Sequence, residues 1–320
     1  MREEDDLWRR VRVMRLASTT GDFDFYCTTY QERVKHLHEA GFRYIDLCMY
    51  KTFPEDELLI SDKWRDNVAR LQDYADELGV QFVQAHAPGG FPLRKTGEWA
   101  AKYEQMMNTT LRSIEICGLL GIPNIVVHAG CRRDLGKKGF FKENKEFFKE
   151  LLFAAEKYGV NVLVENSSRQ NVACSTAYYT NTGADMKEFI EYVNHPLFHA
   201  CWDTGHGNMG GGQYDEIMAL GDELYALHIN DNQEHADTHV IPYMGTVNWD
   251  EVMCALIDCG YKGYFTLEAG SVFTSVVNRK QYFERDARLR IPTLSMQKSA
   301  EKMMYEICMH ILQSYECDEE

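Results

Sequence analysis

Histidines and carboxylates recur in this chain at the C-terminal ends of short apolar runs. His86 closes QFVQAH, His128 follows NIVV, Glu165 ends NVLVE, and Asp203, with His206 three residues on, ends FHACWD. His228 ends LYALH, Asp237 and His239 lie in the loop beyond it, and Glu268 follows YFTL. The densest stretch, LHINDNQEHADTH at Leu227–His239, crowds three histidines and two aspartates into thirteen residues. Singly, each has a plain structural explanation: a histidine near a strand end is commonly a hydrogen-bonded core residue, and a lone Glu165 can cap a following helix. Gathered together they change character. Four carboxylates in one volume are costly to desolvate unless a cation or protons compensate them. Imidazole and carboxylate without thiolate suit Mn²⁺, Co²⁺, Fe²⁺ or Zn²⁺ better than Ca²⁺ or a thiolate zinc centre.

Whether they gather depends on the elements that carry them. Runs rich in β-branched and aromatic residues begin at Met14 (MRLAST), Phe42 (FRYIDL), Gln81 (QFVQAH), Asn124 (NIVVHA), Asn161 (NVLVEN), Phe198 (FHACWD), Leu224 (LYALHI) and Tyr264 (YFTLEA). Their length and composition fit buried parallel strands. Segments with helical spacing separate them, such as DKWRDNVARLQDYADELG with Val68, Leu71, Ala75 and Leu78 on one face. Gly41, Gly79, Gly121, Gly159 and Gly260 stand where helix C-caps belong. Strand and helix alternating eight times predict an α/β fold, a single-domain (β/α)8 TIM barrel over 13–320 behind a charged tail at 1–12. The competing doubly wound sheet lacks support, because no G-x-G-x-x-G follows the first strand and the glycines after Met209 lack the Lys-Ser/Thr of a P-loop. In a TIM barrel chemistry collects at the C-terminal strand ends. Five of the eleven histidines fall there.

The bulk properties narrow the class. With 45% hydrophobic residues in 320, the chain can bury a large core. No apolar run reaches the roughly 20 residues needed to span a bilayer, and MREEDDLWRR lacks a signal peptide's apolar segment. Cys117, Cys254, Cys259 and Cys308 fall in predicted helices and read as reduced, mostly buried thiols, so a cytoplasmic location is expected. A net charge of −15 disfavours a nucleic-acid partner. CRRDLGKKG at Cys131–Gly139 is the one short basic stretch, readable as an anion grip or a solvated loop. Phe273–Leu294 reads as a lid or an interface without a specific signal.

In order and spacing, VQAHAP (Val83–Pro88), VVHAG (Val126–Gly130), VEN (Val164–Asn166), WDTGH (Trp202–His206), HIND…DTH (His228–His239) and LEAG (Leu267–Gly270) resemble the xylose isomerase-like barrels. That superfamily holds sugar isomerases and epimerases, and also the apurinic endonucleases of the endonuclease IV type. The sugar-isomerising branch implies one divalent ion, Mn²⁺ first and Zn²⁺, Co²⁺ or Fe²⁺ as alternatives, on Glu165, Asp203, His228 and Glu268. It implies a small sugar substrate whose α-proton is passed between Glu165 and Glu268 through a metal-bound enediolate. His86, His128, His206, Asp237 and His239 would then contact substrate. Dehydration or elimination from a keto-sugar uses the same acidified carbon and is a neighbouring lyase reading.

Two departures stand out: Glu234 occupies the place where many ketose epimerases carry an arginine, and in IPYMGTVNW only Gly245 matches the family's G-x-G-x-x-D-W segment. The endonuclease IV pattern uses the same nine side chains to hold three zinc ions for abasic-DNA cleavage. On that reading DTH completes a metal cluster; on the sugar reading it lines a pocket. A metal-stabilised subunit without turnover is a third reading, since AEKMMYEICMHILQSYE offers a Met-rich face to its own barrel or to another chain, including a second copy.

Overall fold

The computed structural model describes residues 13–52, 55–90, 93, 95, 97–130, 135–168, 178–270, 272 and 292–319. The charged tail at 1–12, Cys131–Asp134 and nearly all of the segment from Phe273 lie outside the described residues. Eight strands form one parallel sheet: β1 (Arg15–Thr19), β2 (Tyr44–Cys48), β3 (Gln81–His86), β4 (Asn124–Val126), β5 (Asn161–Glu165), β6 (Phe198–Asp203), β7 (Leu224–His228) and β8 (Tyr264–Thr266). Their order is β7-β6-β5-β4-β3-β2-β1-β8. The ring closes just past the ends of β7 and β8, where Ile229 pairs with Leu267 and the Glu268 N–H donates to Ile229 O at 3.0 Å. The chain is a (β/α)8 barrel.

Helices follow as expected from the apolar spacing: α1 (Tyr30–Ala40), α2 (Trp64–Leu78), α3 (Ala100–Leu120), α4 (Lys137–Tyr158), α5 (Gly183–Val193), a short α6 (Thr204–Asn208), α7 (Tyr214–Leu220), α8 (Trp249–Asp258) and α9 (Leu294–Ser314). Gly41, Gly79, Gly121 and Gly159 are left-handed C-caps, while Gly260 lies one residue beyond the Cys259 cap. None of the described helices is long and apolar enough to cross a membrane.

β4 and β8 are shorter than the apolar runs that predict them. Beyond Val126 and Thr266 the ladder gives way to isolated bonds, Val127 N–H to Leu163 O past β4, and Leu267 N–H to Ala17 O with the Ile229–Leu267 bridge past β8. His128 and Glu268 therefore sit two residues past their strands, on less constrained backbone. Inside the barrel Val126, Leu163, Cys201 and Ala226 form a small apolar layer, the floor on which polar strand ends stand.

α9 packs on its own barrel, against α1 and β1, burying Ala300, Met304, Cys308, Ile311 and Leu312 together with Gln297 and Glu301. Two expectations need correction. Cys254 is exposed and Cys259 caps α8 from outside its last turn, because the apolar stripe of α8 runs through Val252, Met253, Ala255 and Leu256. Lys137–Gly139 opens α4 rather than a loop, with Lys137 paired to Asp185 and Glu188 on α5.

Candidate active site

Parallel register sets the first relationships. Asp203 pairs with His228 across β6–β7, Glu165 with Cys201 across β5–β6, and Cys48 with His86 across β2–β3. Since alternate side chains point inward, the strand ends deliver Glu165, Asp203, His228 and His86 into one bowl. His128 Nε2 donates to Glu165 Oε2 at 2.6 Å, and His228 Nδ1 lies 3.1 Å from Glu165 Oε1 and 3.2 Å from Glu268 Oε2. His86 Nε2 is 3.2 Å from His128 Nε2 and 3.6 Å from Glu165 Oε2.

The loop after β7 folds back over this bowl. His206 Nε2 and His239 Nε2 each lie 3.1 Å from an oxygen of Asp237, and His239 Nδ1 donates to Glu268 O at 2.9 Å. His239 reaches this position from left-handed backbone, φ 47°. Every site residue expected from sequence thus lies in one contiguous network. The loop's shape depends on Gly245, where a Cβ would stand 2.1 Å from Asp231 Oδ1 and 2.2 Å from Asn232 O. Glu234, at the family's arginine position, is exposed and faces no partner in the bowl among the described residues.

Sequence reading missed the groups that orient the carboxylates. Asp203 Oδ2 accepts from Asn230 Nδ2 at 2.7 Å, and Oδ1 accepts the His206 N–H at 2.6 Å as the N-cap of α6. Asn166 brackets the Asp203 backbone, accepting its N–H at 2.6 Å and donating to its carbonyl at 2.9 Å. Both asparagines sat inside the quoted motifs VEN and HIND; a carboxamide beside a ligand-type residue was the available signal. Tyr50, just past β2, packs edge-on to His86 at 5.1 Å. Asp46 lies below the bowl, accepting from Thr19 Oγ1 at 2.8 Å.

Charge in the bowl is unbalanced. Burial alone would raise the Glu165 carboxyl, but the charges and hydrogen bonds of His228 and His128 hold it well below the usual carboxylate range. Burial opposes protonation of His206, yet Asp203 and Asp237 push it up to about 10; against the same burial, Cys201, Glu268 and Glu165 raise His228, and Asp237 and Glu268 raise His239. Burial lifts Asp203 itself. The imidazoles are thus holding protons because buried carboxylates demand positive charge, and a divalent cation meets that demand with the histidines neutral. The donor set fits: one ligand atom each from Glu165, Asp203, His228 and Glu268 lies within 4.8 Å of the others. His86, His128 and Glu165 form another such group, as do Asp203, His206 and His239.

Relatives share parts of this chain. A fructoselysine 3-epimerase of Escherichia coli O157:H7 is 40% identical over 191 residues, 58% of this chain and 60% of that enzyme. A probable endonuclease 4 of Cenarchaeum symbiosum strain A is 26% identical over 142 residues, 40% of this chain and 48% of its own length. The solved structure of an L-ribulose 3-epimerase superposes with a TM-score of 0.70 at 16% identity, covering 94% of this chain and 95% of that one, which shows a common fold. Residues 34–290 match the xylose isomerase-like TIM barrel profile, and this span carries every strand-end residue of the bowl, so the chain belongs to the xylose isomerase-like TIM barrel family.

Proposed function

We propose that this chain is a divalent-metal-dependent sugar epimerase or isomerase that moves a proton at the carbon beside a ketose carbonyl, with Glu165 and Glu268 as the acid/base pair. The observation that carries the reading is the convergence of Glu165, Asp203, His228 and Glu268 ligand atoms within 4.8 Å. These four residues would hold one ion, with Mn²⁺ the first choice. When bound, the ion supplies Lewis-acid polarisation of the carbonyl and the neighbouring hydroxyl.

The protein's own groups do the rest. Glu268, with a quarter of its side chain exposed, faces the open bowl, whereas Glu165 is almost fully enclosed. One carboxylate takes the α-proton and the other returns a proton to the opposite face of the carbon. His128 and His228, bonded to the two Glu165 oxygens, hold that carboxylate in place. His86, His206, Asp237 and His239 line the bowl and present donors and an acceptor to substrate hydroxyls. The fructoselysine 3-epimerase relative supports inversion at the third carbon of a ketose, free or amine-linked. The test is incubation of the Mn²⁺-loaded protein with ketoses in heavy water: deuterium should enter at the carbon beside the carbonyl, and no exchange with any ketose overturns the reading.

A second reading has its own observation, because two of the three further donor groups, His86–His128–Glu165 and Asp203–His206–His239, would suit a three-ion centre. It requires three metal ions per chain and cleavage of an abasic-site duplex.

A further inference from the structure

Tyr50 lies outside the carboxylate–histidine network yet touches it. It follows β2 directly, on the C-terminal rim where substrate must enter. Its ring meets His86 edge-on at 5.1 Å and lies 5.7 Å from His128, while the residue stays 40% exposed. A tyrosine serving only to pack would bury its ring and pair its hydroxyl. Here the residue is 40% exposed and, among the described residues, no group bonds the hydroxyl. Burial and the nearby Glu268 and Glu165 carboxylates push the phenol up to about 12.

The ring is also held firmly. Gly89, after β3, donates its N–H to Tyr50 O at 3.2 Å, and the Tyr50 ring occupies the space its side chain would take. A Cβ on Gly89 would stand 1.9 Å from Tyr50 Cε2 and 2.3 Å from Cζ. Gly89 is not among the positive-φ residues, so alanine suits its backbone, and the three atoms nearest such a Cβ all belong to the Tyr50 ring.

We propose that Tyr50, seated on Gly89, is the specificity-determining platform for the non-reacting end of the substrate, its exposed ring lying against the C–H face of a sugar whose reacting carbons face Glu165 and Glu268. The proposal deepens the sugar-isomerising reading and rests on it. A flat aromatic with a free hydroxyl at one edge suits a ligand with apolar C–H faces and equatorial hydroxyls.

The test uses Mn²⁺-loaded wild type, Tyr50→Ala, Tyr50→Phe, Gly89→Ala and the Tyr50→Ala/Gly89→Ala double variant. Binding of D-fructose and of sorbitol is measured by calorimetry, and turnover by α-carbon exchange; melting curves and metal content confirm that each variant is folded and loaded. Tyr50→Ala and Gly89→Ala should each weaken sugar binding and raise KM by about tenfold with kcat within about threefold, the pattern of lost uniform binding. Tyr50→Phe should keep most of the affinity. The double variant should be no weaker than Tyr50→Ala, because Gly89→Ala acts only through the ring. Unchanged affinity in Tyr50→Ala overturns the proposal, and so does a loss confined to kcat, which would make the ring a support for His86 and His128. Absence of exchange with a Tyr50-dependent loss of sugar binding would remove the epimerase reading and leave the platform standing. Absence of any sugar binding by wild type would remove the platform.

Discussion

Nδ1 of His228 lies 3.1 Å from Glu165 Oε1, and the same nitrogen is 3.2 Å from Glu268 Oε2. The two glutamates that would exchange a substrate proton are therefore pinned to a common point, from strands on either side of β6 and β7. Replacing either by glutamine keeps the shape and removes the proton-carrying oxygen. Glu165→Gln and Glu268→Gln should each slow α-carbon exchange by about 10²- to 10⁴-fold, the usual contribution of a positioned acid or base, with circular dichroism unaltered. Exchange within tenfold of wild type in either variant would remove that residue from the pair.

Metal removal should be visible in stability as well as turnover. Three carboxylates and one imidazole converge in the four-residue donor set, and among the described residues the positive groups touching them are histidines. An ion that binds the folded chain alone stabilises it by about 2.7 kcal/mol at a hundredfold excess over Kd. EDTA treatment should lower the melting temperature by several degrees, and Mn²⁺ should restore it. Elemental analysis should return one ion per chain; three would favour the phosphodiesterase reading.

Much of this was legible in the sequence because the signals are local. A β-branched run followed by His or a carboxylate marks a barrel strand end, and the barrel's closure brings all such ends to one axis. What escaped was set by tertiary contact. Asn230 looks like any loop asparagine until Asp203 arrives beside it from another strand. Tyr50 gains meaning only from His86 and Gly89, which come from a different strand end. Glu301 sits on the amphipathic α9 at a position that reads as a solvated charge, yet it is fully buried against β1. The lengths of β4 and β8 escaped too, since composition does not reveal where a ladder gives way to isolated bonds.

Asn230 should prove to be a positioning residue for the cation site. Its Nδ2 holds Asp203 Oδ2 at 2.7 Å, its carbonyl accepts from Thr204 Oγ1 at 2.7 Å, and its Oδ1 lies against Gly205, where a Cβ would be only 1.9 Å away. Asn230→Ala removes the donor, and Gly205→Ala displaces the carboxamide. Each should weaken Mn²⁺ binding by about 10- to 100-fold, as loss of an outer hydrogen bond to a ligand typically does, measured by competition with a fluorescent chelator. Unchanged affinity would mean that the His206 N–H and Asn166 orient Asp203 without the Asn230 carboxamide.

The buried acid pair Asp22 and Glu301 should make stability fall as pH rises. Ser18 Oγ donates to Glu301 Oε1 at 2.5 Å, while Glu301 Oε2 and Asp22 Oδ2 have no partner. Burial pushes Glu301 up to about 7, and burial with the charge of Glu301 raises Asp22 well above its usual range. Between the ordinary glutamate value of 4.5 and about 7, the folded chain holds a proton that the unfolded chain has lost. The Glu301 contribution to stability therefore declines across that window, and Asp22, raised in the same direction, adds to the decline. Glu301→Gln cannot ionise, keeps an acceptor for Ser18 and offers its Nε2 to Asp22. The variant should match wild type near pH 4.5 and exceed it at pH 8 by on the order of 1–3 kcal/mol. Titrations in the carboxylate–histidine bowl are common to both proteins and cancel in the difference. A gap of equal size at pH 5 and pH 8, read from denaturant melts, would show that Glu301 does not hold its proton in the fold.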